Sequence, residues 1–217
     1  MIPKKLHFVW IGDESKRPDK CIGTWRELNP DYEIKIWGNE ELKQPWFNAK
    51  HMQSMLAHEL CGVADMMRYE ILYNEGGITL DADSVCLSPL EDWLLKPSAF
   101  AHWEQEIMRP GLINVSVMGS EKGNPFFGEC INRLEKKATV IDKRAWETTG
   151  PAHITEVFRE TGYDLTVYPT HYFTKHHFSG KIYKGNGHCF STQFCGDRKS
   201  TRLNSSHIPL SRMPSSA

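Results

Sequence analysis

Apolar and polar residues alternate along this chain in two distinct rhythms. The apolar run "LHFVWI" (6–11) and the alternating "YEIKIW" (32–37) carry strand spacing, the first closed by Gly12-Asp13. Between them, "DKCIGTWRELN" (19–29) sets Cys21, Ile22, Trp25 and Leu28 at helical intervals, so the chain opens β-α-β. Further strands are predicted in "GITL" (77–80), "SAFAHW" (98–103), "LINVSVM" (112–118) and "DLTVYP" (164–169), and helices near 58–75, 124–137 and 151–161. Thr149-Gly150-Pro151 gives the last helix a polar entry and a proline at its first position. Such alternation predicts an α/β layered domain with a mixed, mostly parallel sheet flanked by helices.

The final stretch breaks the pattern. Residues 197–217, "DRKSTRLNSSHIPLSRMPSSA", are serine-rich, show no apolar period and read as a disordered tail. Their opening is similar to the in-frame translation of a common sequencing-library adapter, so a non-native tail is expected after one domain spanning 1–196, cut short near Gly196. With that tail set aside, 22 Lys and Arg stand against 26 Asp and Glu, a net charge of −4. A mildly acidic body without a basic stripe excludes a phosphate-neutralising nucleic-acid binder. No run approaches the roughly 20 apolar residues of a membrane helix, and no cleavable leader is visible, which points to a cytoplasmic protein. The six cysteines lack C-x-x-C spacing and fit thiols better than a disulfide or zinc framework. His171, His176, His177 and His188 match no tight metal motif and read as residues of polar surface loops.

The candidate chemistry lies in "VADMMRYEILYNEGGITLDADSV" (63–85). Leu60, Val63, Ala64, Met67 and Ile71 share a helical face, and Gly76-Gly77 stops the helix and feeds the chain into "ITL". Asp65 and Arg68, three apart, share a helix face and could equally form an ordinary surface ion pair. If the strand continues through Asp83, Asp81 and Asp83 point the same way with Ala82 opposite. Two such carboxylates repel one another and must meet water or a cation. At the carboxyl end of an α/β strand, the fitting cation is a hard one, Mn²⁺ or Mg²⁺. Alone, D-x-D also describes a solvated turn.

The order Asp65, Arg68, Gly76-Gly77, apolar strand, Asp81-x-Asp83 resembles the D-x-D sugar-transferase family of yeast-type initiating mannosyltransferases and bacterial capsular glycosyltransferases. More distantly it is similar to the large glucosylating toxins. "IPKKLHFVWIG", "CIGTWRELNPDYEIKIW", "NVSVMGSEKGNPFF" and "TGPAHITEVF" are similar to further family blocks, so the resemblance covers most of 1–196. It implies a Rossmann-like nucleotide-diphospho-sugar transferase fold. The implied activity is a metal-dependent, retaining hexosyl transfer from UDP-hexose or GDP-mannose to a glycan, lipid-linked or protein acceptor. Surface polysaccharide synthesis at the inner face of a bacterial membrane, with peripheral association, would be its setting. Asp81 and Asp83 would then hold the metal, while Asp65, Arg68, Gly77, Asn114 and Trp10 contact the donor, Trp10 stacking on its base. Core packing for Trp10, backbone capping for Asn114 and a plain helix-entry turn for Gly150-Pro151 are the competing structural readings. A His-rich segment and Gly-Ser-Trp that close the family's site have no clear counterpart in "CFSTQFCG" (189–196). Two rival functions stay open: a noncatalytic nucleotide-sugar-binding protein, and a haloacid-dehalogenase-type phosphatase with its first aspartate as nucleophile. The late position of D-x-D in the sheet disfavours the phosphatase.

Overall fold

A computed structural model describes residues 1–177 and 180–193; the expected tail at 197–217 lies outside them. Six strands form one sheet in the order β2-β1-β3-β6-β5-β7. These are β1 (Lys5–Val9), β2 (Glu33–Trp37), β3 (Gly77–Asp81), β5 (Ala99–Gln105), β6 (Arg109–Ser120) and β7 (Thr166–Tyr168). β1 runs parallel to β2 and β3, and β5 parallel to β7, whereas β6 is antiparallel to both β3 and β5. A separate two-stranded sheet joins β4 (Ser84–Cys86) to β8 (Ser191–Gln193). The helices are α1 (Asp19–Leu28), α2 (Ala49–Leu56), α3 (Leu60–Glu75), α4 (Pro125–Glu135), α5 (Ala145–Thr148) and α6 (Pro151–Thr161). None among the described residues is long and apolar enough to cross a membrane.

The predicted strands and long helices all form, and the reasons are local. Asn124 caps α4 by accepting from the Phe126 N–H, with Pro125 at the first position, and Pro151 opens α6 in the same way. α3 departs from the amphipathic expectation, because its residues from Cys61 to Leu72 are buried on every side. It is a central helix between the sheet and α4, so a period of 3.6 understated its apolar environment.

Gly76 and Gly77 hold positive φ values of 67° and 97°. A Cβ on Gly76 would meet the Lys122 nitrogen at 2.8 Å, and one on Gly77 the Lys5 carbonyl oxygen at 2.8 Å. His7, fully buried, locks the same corner. Its Nε2–H donates to the Gly76 carbonyl at 2.9 Å and its Nδ1 accepts from the Trp37 indole at 3.1 Å, which fixes the neutral tautomer.

From β1 the chain crosses through α1 to β2 on one side, then returns through α2 and α3 to β3 on the other. The switch point of the sheet therefore opens between the carboxyl ends of β1 and β3, where Val9 pairs with Asp81. This is the position at which open α/β sheets place ligands.

Candidate functional site

Asp81 ends β3, and Ala82-Asp83 form a tight turn into β4. The expected strand alternation through Asp83 thus stops two residues early, because Ala82 and Asp83 turn the chain into β4. Asp81 is buried, Asp83 half-buried, and Ala82 lies in the core. The turn is held from beneath by α1. The Trp25 indole donates to the Ser84 carbonyl oxygen and Oγ, both at 3.1 Å, Ser84 Oγ donates to the Asp81 carbonyl at 2.6 Å, and the Cys86 N–H donates to Thr24 Oγ1 at 2.9 Å.

Arg68 reaches the turn from α3. Its guanidinium donates to Asp81 Oδ1, to Asp65 Oδ1 at 3.2 Å and to the Val115 carbonyl at 3.4 Å. Asp65 and Arg68 are 0% and 1% exposed, which overturns the surface-pair alternative. It also corrects the expectation that Asp81 must meet water or metal, since a buried guanidinium meets it first. Burial alone would lower the Arg68 pKa, but Asp81 and Asp65, with Asp83 a smaller contributor, outweigh it and hold the pKa above its ordinary value. Arg68 Nε is buried with no hydrogen-bond acceptor among the described residues.

Asp65, Asp81 and Asp83 gather around the Arg68 guanidinium, and their oxygens are hard donors. This donor set fits a divalent cation at Asp81 and Asp83. No group of three or more His, Cys, Asp or Glu able to hold a metal occurs among the described residues. Gly150 shapes the far wall. A Cβ there would stand 2.8 Å from Asp65 Oδ2, so the Gly-Pro turn admits this carboxylate besides starting α6.

The remaining expected donor residues have structural partners of their own. Gly77 is at the amino end of β3, roughly 13 Å of strand from Asp81, and its role is the tight corner described above. Trp10, 3% exposed, packs in the core cluster of Leu6, Phe8, Ile22 and Trp25, and its indole donates to the Asp13 carbonyl at 3.0 Å. Its ring is a floor under the crevice and presents no open face to a base. Asn114 is buried on β6; its Oδ1 accepts from the Ser116 N–H at 2.6 Å and its Nδ2 donates to Glu104. His177 is buried, against the surface-loop expectation; His171 stacks on Tyr183 at 3.9 Å between centroids. Sequence reasoning missed the buried Glu104 and the half-buried Gln193, whose amide donates to Asp81 Oδ2 at 2.8 Å across 112 residues. Only the pairing of β8 with β4 reveals the latter.

Residues 15–100 match the model of the glycosyltransferase sugar-binding region containing the DXD motif. Inositol phosphoceramide mannosyltransferase 3 of Schizosaccharomyces pombe is 34% identical over 146 residues, covering 63% of this chain and 38% of that protein. The chain spans about two-fifths of the length of the fungal ceramide mannosyltransferases it matches. Among solved structures, PaToxG glycosyltransferase superposes with a TM-score of 0.59 at 18% identity, over 74% of this chain and 70% of that one. The UDP-bound glycosyltransferase domain of the YGT toxin gives 0.53 at 10% identity, over 77% and 79%. These neighbours share the GT-A type fold, with its mixed, mostly parallel sheet between helices. The segment that carries Asp65, Arg68 and the paired aspartates thus matches a glycosyltransferase sugar-binding region containing the DXD motif.

Proposed function

We propose that the chain transfers a hexose from a nucleotide diphospho-sugar to an acceptor, with Mn²⁺ or Mg²⁺ held at Asp81 and Asp83 and retention at the anomeric carbon. The observation that carries this reading is the gathering of Asp65, Asp81 and Asp83 around Arg68 at the switch point of the sheet. A cation bound there would supply charge neutralisation for the departing nucleoside diphosphate.

The chain's own residues do the rest. Arg68 pairs with and orients Asp65 and Asp81. The α1 contacts to Ser84 and Cys86 hold the turn so that Asp83 stays at the rim. Burial of Arg68 and Asp81 excludes water from the base of the site, which strengthens each charge interaction there.

The mannosyltransferase relative favours GDP-mannose as donor, and the UDP-bound fold neighbour places UDP-hexoses beside it in the test. The name of that relative, an inositol phosphoceramide mannosyltransferase, supports a lipid acceptor over a glycan or protein one. The test is a panel of UDP- and GDP-sugars assayed for Mn²⁺-dependent hydrolysis and transfer. Turnover of one donor is expected, with at least a hundredfold loss of rate in Asp83→Ala on the scale of removed electrostatic stabilisers. Unchanged turnover in that variant would overturn the metal assignment. Donor binding without turnover would leave only the noncatalytic reading.

A further inference from the structure

Three distant segments meet at the Asp81 carboxylate: α3 through Arg68, the turn itself, and β8 through Gln193. Arg68 donates to Oδ1 and the Gln193 side-chain Nε2 donates to Oδ2 at 2.8 Å. The antiparallel register Ser84↔Gln193 and Cys86↔Ser191 delivers that amide beside the turn. The strand stands on a firm base. Phe190 is buried, its N–H donates to the Tyr172 carbonyl at 2.7 Å and its carbonyl accepts from the Leu87 N–H at 2.8 Å; Ser191 Oγ donates to the Phe173 carbonyl at 2.8 Å.

We infer that Gln193 is a positioning residue for the D-x-D site, fixing the plane of the Asp81 carboxylate and with it the aim of the turn that carries Asp83. The inference rests on the reading of that turn as the seat of a cation-bound diphospho-sugar. A carboxylate held at one oxygen can swing about its Cβ–Cγ bond, and a donor at the second oxygen removes the swing. A neutral amide suits this place. A lysine would set a second positive charge against Asp81, and a carboxylate would repel it. Docking of β8 thereby becomes part of assembling the site, although it contributes no residue to the D-x-D motif.

The test compares wild type with Gln193→Met, which keeps the length and loses the donor, and Gln193→Glu, which keeps the shape and reverses the polarity. Each is titrated with UDP-glucose and with GDP-mannose, with and without Mn²⁺, by calorimetry, and its melting temperature is recorded. Wild type should bind one donor in a Mn²⁺-dependent manner. Gln193→Met should bind it roughly tenfold more weakly, as befits loss of a charge-assisted hydrogen bond, and Gln193→Glu more weakly still, with melting temperatures close to wild type. Wild-type affinity in Gln193→Met would reduce the residue to space filling and overturn the inference. Equal or tighter Mn²⁺-dependent binding by Gln193→Glu would make it a ligand of the ion and overturn it too, as would a fall in melting temperature that accounts for the lost binding. Absence of Mn²⁺-dependent binding by wild type to either donor would bring down the functional reading itself, a result distinct from all of these.

Discussion

Arg68 shows how much of the site depends on one side chain. Fully buried and ringed by Asp65 and Asp81, it is the cation that lets two carboxylates exist at the foot of the sheet. Arg68→Met fills similar space but strands those charges, and the expected cost is about 3–5 kcal/mol, read as a lower urea midpoint. A loss under 1 kcal/mol would mean that the carboxylates find other partners or protonate without penalty. The order Asp65, Arg68, Asp81, Asp83 was legible because helix and strand spacing place these residues along two consecutive elements. Their burial was not. Nothing in a three-residue spacing says whether a helix face meets water or β6, and Arg68 is dry because the Val115 carbonyl and the sheet close over it. The contacts of Asn114 were hidden for the same reason: its Glu104 partner comes from β5, and the pairing of β5 with β6 is invisible in a linear pattern.

At the scale of elements, the double glycine and the paired aspartates bracket one five-residue strand and do different work. The glycines build the entry corner, where β1 and His7 leave no room for a side chain. Gly77→Ala should therefore destabilise the fold by about 2 kcal/mol or more, combining strain at φ 97° with a clash against the Lys5 carbonyl. Donor affinity of the remaining folded protein should stay unchanged, since the aspartates stand at the opposite end. Matched denaturation and calorimetry decide it, and lost affinity at full stability would return Gly77 to the donor site. The long elements were readable from period and capping, as in α4, where Asn124 and Pro125 announce the start. α2, α5, β4 and β8 were not. β4 and β8 are three residues each and exist only through each other, so no local preference could mark them.

For the whole molecule, two buried histidines tie stability to pH. Burial, with nearby Lys137 and Arg133, lowers His153 to about 3 despite its hydrogen bond to the Cys130 carbonyl. His7 is likewise lowered, chiefly by burial. Both are neutral in the fold and titrate near 6.5 when unfolded, so their contribution is complete above about pH 6.5 and is lost as pH falls below it. By pH 5, His153 alone should cost about 2 kcal/mol. Urea unfolding at pH 7.5 and pH 5 measures this, and His153→Gln should flatten the dependence; an unaltered slope would assign it to other groups. The reversed strand β6 has a further consequence. Because β5 runs with β1 and β3, the β5–β6 hairpin turns at the same rim as Asp83, with Ile107 and Met108 facing outward and both their N–H groups donating to Gln105 Oε1. Its loop is thus free to lengthen or change chemistry without touching the strand that ends in Asp81, so, on the proposed function, what approaches the sugar can diversify while the anchor for the leaving group stays the same.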